Sequence, residues 1–307
     1  MHGENFSVWR RSMLLVSRRP SLRGIVLAIV TSALVLAQAA SAFAGVPSVR
    51  HVVVVVEENH SYRSVIGSSA MPYLNSLARK YGLATAYYAN THPSIGDYFM
   101  LTTGRIITNN DGWSGTVTGD NVVRRLLTAG KTWKSYAESL PYTGYIGGDR
   151  YPYVKHHNPF AYFSDVRNSN NERLHLVPFS QFSKDLANGQ LPNFSFVVPN
   201  QLHNAHDGSL ASADYWLKTR IAPLLSNAAF QNSGILVILF DESFRSDTAH
   251  GGGRVAMLVI GPLVKSGVRV GEFYQHQSTL KMVLQALRAD YGLHAASSTA
   301  TMEEFFR

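Results

Sequence analysis

The sequence predicts an α/β fold, a central mostly parallel sheet flanked by helices, from three observations. Three apolar runs, 51–56, 194–198 and 235–240, read as strands buried on both faces. Segments with helical spacing alternate with them, several stopped by glycine. Each run ends in a cluster of polar residues, and the carboxyl ends of strands are where open α/β sheets assemble sites.

In chain order, the first 44 residues stand apart. Arg10, Arg11, Arg18, Arg19 and Arg23 precede an uncharged apolar run from Gly24 to Ala40, and Ala42-Phe43-Ala44 fits a small-residue cleavage site. This is the pattern of a signal peptide, with an uncleaved anchor as the other reading. Ser17-Arg18-Arg19-Pro20 is close to a twin-arginine export signal. A secreted or periplasmic protein is expected, with no stable membrane span after cleavage. Removal of five arginines and Glu4 lowers the formal charge from +8 to +4 and leaves no basic block, so nucleic acid is not an expected partner. The chain has no cysteine, so any metal is held by oxygen and nitrogen ligands.

The run 51–56 leads into Glu57-Glu58-Asn59-His60. Residues 71–81 carry apolar side chains at helical spacing, and Gly82 stops them. A short strand at 84–88 then leads to Thr91-His92-Pro93-Ser94. Helices are expected at 95–103 and 122–129. The stretch 141–182, rich in Tyr, Asn and His, reads as loops or a small cap. Beyond the strand at 194–198 come a helix at 211–225, strands at 235–240 and 255–260, and a helix at 278–291.

Glu58, Asn59, Asp241 and Glu242 are the candidate metal ligands. They make an oxygen-rich set suited to Mg, Ca or Mn, with Zn favoured if histidines join. Such an ion polarises a phosphoryl oxygen and acidifies a bound hydroxyl. Ser94 precedes a helix whose N–H groups and dipole suit an anion, which makes it the candidate nucleophile. Taken locally, Ser94 and Asp97 also fit a capping box. His92, His156, His157, His203, His206, His250 and His276 lie in or near polar loops and could bind phosphate or move protons.

These residues resemble the bacterial phosphoesterase family of acid phosphatases and phospholipases C, related to alkaline phosphatases and nucleotide pyrophosphatases. HVVVVVEENHSY at 51–62, the stretch 71–94, KHHNPFAYF at 155–163 and FSFVVPNQLHNAHD at 194–207 carry the likeness. ADYWL at 213–217, ILVILFDES at 235–243, GGRVAMLVIGP at 252–262 and HQSTLKMVL at 276–284 continue it. The segment from Ser94 to Gly104 is similar in spacing to the nucleophile turn of the pyrophosphatases.

The resemblance implies an alkaline-phosphatase-like sandwich over residues 45–307. Glu58, Asn59, Ser94, Asp241 and Glu242 would then surround a divalent metal, with Ser94 transiently phosphorylated. It implies catalytic work for His157 and His206 beside Asp207. His92 and His203 are further candidates for binding substrate, and His276 matches a recurrent family histidine. Gly96-Asp97 stands where the family usually has Pro-Asn, and His203-Asn204 where it has Asn-Asp. The first change would place a repelling carboxylate near phosphate, and the second would weaken a second metal position.

The expected activity is a phosphatase acting on monoesters, either small phosphate esters or phospholipid head groups such as phosphoinositides. The rival readings are a phospholipase C-type phosphodiesterase and an exported phosphate- or metal-binding protein.

Overall fold

The computed structural model describes residues 45–307; the expected signal peptide and twin-arginine motif lie outside the described residues. The strands are β1 His51–Glu57, β2 Gly82–Ala84, β3 Tyr87–Tyr88, β4 Trp133–Ala137 and β5 Leu176–Pro178. They continue with β6 Phe194–Val198, β7 Gly234–Phe240, β8 Met257–Ile260, β9 Arg269–Val270 and β10 Tyr274–Gln275.

Eight of them form one sheet in the order β5-β4-β6-β1-β7-β8-β2-β9, and β3 pairs with β10 separately. Pairing is parallel except around β8, which runs antiparallel to both β7 and β2. The expected α/β sheet is therefore present. β1 sits between β6 and β7, and every residue of β1, β6 and β7 is buried, which is why these segments read as unbroken apolar runs.

Five helices position the site: α1 Pro72–Lys80, α2 Ile95–Thr103, α3 Val122–Thr128, α4 Leu210–Trp216 and α5 His276–Ala286. α1 packs with α4, whereas α2 and α3 pack with α5. Side chains alternate across a strand, so consecutive residues at the end of β1 address these two helical groups separately. Among the described residues, no helix is long and apolar enough to cross a membrane.

Several boundaries differ from expectation. The segment 84–88 divides into β2 and β3, which belong to different sheets. The helix expected over 211–225 is interrupted by a π-helical turn at Leu217–Ile221. The last long helix begins at His276 and ends at Ala286. The stretch 141–182 is more than a cap: it supplies edge strand β5, and Tyr153, Phe160, Tyr162 and Phe163 from it are buried in the core.

Candidate active site

The floor is built by the ends of β1 and β7. Glu57 is in register with Phe240, so the next residues, Glu58 and Asp241, leave the sheet side by side. The Glu58 amide donates to the Asn204 carbonyl at 2.8 Å, and the Asp241 amide to the Glu57 carbonyl at 2.9 Å. Asp241 Oδ1 accepts the amides of Asn59 at 3.1 Å and Glu242 at 2.6 Å. Asn59 holds a left-handed conformation, φ 52°, a costly backbone state that asparagine tolerates better than most residues.

Glu58 and Asp241 are fully buried. Burial, and then the charge of Asp241, pushes Glu58 well above the ordinary carboxylate range. Asp241 is pushed up to about 7 by burial and by the Glu242 charge.

Ser94 immediately precedes α2, yet its side chain caps nothing. Its hydroxyl donates instead toward Glu58 Oε2 at 3.2 Å and Glu242 Oε1 at 3.4 Å. The Tyr98 hydroxyl, one turn along α2, donates to Glu58 Oε1 at 2.6 Å. His157 stacks on the Tyr98 ring, centroids 4.9 Å apart, with Nε2 3.3 Å from the same Oε1. Burial, then the charges of His156 and His206, lowers the pKa of His157 well below the usual value, so its ring is neutral.

The capping-box reading does not hold. Asp97 accepts the Asn90 amide at 2.7 Å and lies 3.3 Å from His276 Nε2, away from the cleft surface. Its carboxylate therefore fastens the chain before Ser94, and is not presented to phosphate as Gly96-Asp97 suggested. The first helical amides are also taken. Ile95 N–H donates to Asp111 Oδ1 at 3.2 Å, Gly96 N–H to the Pro93 carbonyl and Asp97 N–H to the Ser94 carbonyl. The open anion cradle expected at this helix start is thus filled.

A cleft of about 290 Å³ opens above Ser94, and Asn59, His92, Asp111, His156, His206 and Glu242 contribute to its walls. His206 Nδ1 faces Asp207 Oδ1 at 2.7 Å. His92 places Nδ1 2.6 Å from Glu242 Oε2 and Nε2 3.0 Å from the Asp247 carbonyl. The Glu242 hydrogen bond raises its pKa, so His92 steadies Glu242 with both ring nitrogens occupied.

Two expected substrate-binding histidines do not reach the cleft surface. His203 turns to Glu138 at 2.9 Å and lines a different depression with Trp216. His276 is fully buried, with Nδ1 2.9 Å from the Tyr87 hydroxyl and Nε2 2.5 Å from the Asp241 carbonyl. Burial lowers its pKa to about 4, so it braces the floor as a neutral ring. Asn204 is buried too; its side chain accepts the His206 amide and donates to Gln201.

The nucleophile segment and the β7–β8 loop meet backbone to backbone. Gly251, φ 111°, lies so close to Asn90 that a Cβ would come within 1.9 Å of its carbonyl oxygen. Only glycine fits there.

A divalent cation suits this floor on the chemistry of its donors. Asn59 Oδ1 and Asp241 Oδ2 are buried with no hydrogen-bond partner. Among the described residues, no lysine or arginine pairs with Glu58, Asp241 or Glu242; the basic side chains beside them are the neutral ring of His157 and His92. No three acidic or histidine side chains already close into a coordination shell among those residues. The fit therefore rests on unpartnered oxygens and uncompensated charge.

Tyr98, Asp111, Phe244 and Arg245 carry no motif in the sequence, and His156 is one loop histidine among several there. Tyr98 had one signal, its position one helical turn after Ser94. The others come from loops whose course no periodicity reveals.

The mostly parallel eight-stranded sheet flanked by helices is a fold of the alkaline-phosphatase type. A protein of the alkaline phosphatase superfamily from Vibrio parahaemolyticus superposes with a TM-score of 0.57 at 14% identity, over 84% of this chain and 72% of that one. At that identity the likeness shows the fold alone.

Residues 68–288 match the phosphoesterase family, and the chain belongs to it. A phosphatidylinositol-3-phosphatase of Mycobacterium tuberculosis is 33% identical over 258 residues, covering 83% of this chain and 81% of that protein. A probable acid phosphatase of Kluyveromyces lactis is 30% identical over 75% of this chain, which spans 56% of that protein. Relatives named phospholipase C are more distant. The chain is a phosphoric-ester hydrolase.

Proposed function

We propose that this chain is an exported, metal-dependent phosphatase that hydrolyses phosphate monoesters through a phosphoserine at Ser94. One observation carries the reading. The Ser94 hydroxyl forgoes the helix cap and points at Glu58 and Glu242 on the cleft floor. Export is supported by the pattern of residues 1–44 alone.

Glu58, Asn59, Asp241 and Glu242 would hold the ion, Mg, Ca, Mn or Zn, which supplies positive charge to the phosphoryl oxygens and acidifies the serine hydroxyl. Ser94 Oγ attacks phosphorus in line as its proton leaves to solvent in the cleft, and Tyr98 fixes Glu58 through Oε1. His206, oriented by Asp207, protonates the leaving oxygen from the cleft wall. In the second half, His206 takes a proton from the attacking water, the serine–phosphorus bond breaks and Ser94 recovers its proton. His157 stays neutral and keeps Tyr98 and Glu58 in place. Phosphoryl transfer needs mainly positioning and charge stabilisation, which these residues supply.

Two observations favour monoesters. The cleft is small, and the mycobacterial phosphatidylinositol-3-phosphatase matches over most of both chains, whereas the phospholipase C relatives are more distant. Small phosphate esters and phosphoinositide head groups are the substrate classes of this reading.

The test compares p-nitrophenyl phosphate with bis-p-nitrophenyl phosphate, in the native chain and Ser94→Ala, with and without chelator. Ser94→Ala is expected to lose at least about 10³-fold in kcat, as nucleophile removal does elsewhere. Chelator should abolish turnover of the native chain, and divalent metal should restore it. Preference for the bis ester would overturn the monoesterase, and full activity in Ser94→Ala would overturn the nucleophile.

A further inference from the structure

The loop after α2 doubles back over the start of that helix. Asn109 packs against Gly96, where a Cβ would come within 2.5 Å of the Asn109 amide oxygen and of a Thr91 methyl. A side chain at position 96 would push this loop outward. Two residues beyond Asn109, Asp111 reaches Ile95 and accepts its N–H at 3.2 Å. Asp111 is also part of the cleft wall, together with Ser94 and His156.

An amide N–H next to the nucleophile is a natural donor for a phosphoryl oxygen, and here a carboxylate occupies it. That carboxylate has the same sign of charge as phosphate and makes the same kind of hydrogen bond. Of the residues lining the cleft, only Arg245 is a lysine or arginine, and it is exposed at the mouth.

We propose that Asp111 is a specificity-determining residue that competes with phosphoryl oxygens for the Ile95 N–H. Resting on the reading of Ser94 as nucleophile, it implies that Asp111 weakens retention of the inorganic phosphate product and favours substrates whose binding rests on the floor. Loss of the carboxylate would tighten phosphate at the expense of release.

The test is calorimetric titration of inorganic phosphate into the full chain, Asp111→Asn and Asp111→Ala, each loaded with the same divalent ion. Asparagine keeps an acceptor for Ile95 N–H but removes the charge, whereas alanine removes both. The expected order of affinity is alanine above asparagine above native, with about tenfold between the extremes, the size of effect one charge-assisted hydrogen bond supports. Matching melting temperatures establish that the variants are folded, and asparagine serves if alanine disturbs the loop.

Equal or weaker phosphate binding in both variants overturns the proposal and makes Asp111 a ligand or a loop brace. The reading of Ser94 is judged separately, by turnover in Ser94→Ala. Its loss there, with phosphate affinity unmoved by Asp111 variants, would sink this inference alone.

Discussion

Glu57 and Glu58 are consecutive, yet they end β1 on opposite sides of the sheet and meet opposite conditions. On the reverse side, Asp214 accepts the amides of Tyr73 and Leu74 at 2.9 and 2.8 Å, closing the start of α1. Glu138 accepts from Trp216 Nε1 at 3.0 Å and the Asn200 amide at 3.1 Å, with His203 Nδ1 at 2.9 Å. These carboxylates are richly supplied with donors and join one element to another.

On the cleft side, Asp241 Oδ2 and Asn59 Oδ1 have no partner, and Glu58 and Asp241 lie buried beside Glu242. Both sides are acidic; donor supply separates scaffold from site. Glu57 is the exception on the reverse side. Both its oxygens lack partners, but burial, then the charges of Glu138 and Asp214, pushes it well above the ordinary range.

The contrast is most exposed at Asp241. Asp241→Asn keeps an acceptor for the amides of Asn59 and Glu242 while removing a buried charge. Turnover should fall by at least about 100-fold, because losing a ligand costs more than the roughly 10–100-fold that changing an outer-shell partner costs. The metal-free melting temperature should hold or rise, because an uncompensated buried charge has gone. A large loss of stability with activity intact would erase the distinction between the two sides.

Asp214→Ala should behave in the opposite way. It strips the acceptor from two amides at the start of α1, costing about 1–2 kcal/mol in urea unfolding. Turnover per folded molecule should stay within about twofold, since ΔΔG values at sites without shared partners act independently. A catalytic loss as deep as that at Asp241 would mean the reverse side belongs to the site.

The smallest effect concerns pH. His51, at the start of β1, rests its Nδ1 2.9 Å from the Pro192 carbonyl, and burial lowers its pKa below 6.5. The unfolded chain then binds more protons between the folded pKa and 6.5. Its contribution is fully present above 6.5 and is lost as pH falls from there toward the folded value. His51→Gln should flatten that part of the stability–pH curve measured by denaturant unfolding, while the pH profile of turnover keeps its shape. An unchanged slope would remove His51 from the account.

What sequence made legible follows the same line. β1, β6 and β7 are buried on both faces, so their apolar runs and terminal carboxylates stand out without any knowledge of tertiary contacts. β4 has no such run, because Lys134 and Ser135 interrupt its pattern. In the fold, Lys134 pairs with Asp185 at 2.6 Å and Ser135 donates to Asn158 at 2.9 Å. Such pairings join residues far apart in sequence, and no local period announces them.

The site divides likewise. Glu58, Asp241 and Glu242 were readable from strand ends, whereas His203 and His206 look equivalent in sequence and part company in space. The family likeness separates them, implying a catalytic role for His206 alone, and three residues of loop carry the two rings to different sides of the sheet.

The glycine contact between residues 251 and 90 sets a limit on how this enzyme can diverge. With no side chain between the two backbones, the spacing of the segment before Ser94 and the loop after Glu242 is set by atomic radii. Selection cannot tune that spacing by small steps, because any Cβ at Gly251 forces the loops apart. New substrate preferences must therefore arise in walls that side chains can still remodel, such as the loop carrying Asp111 or the turn carrying Phe244 and Arg245.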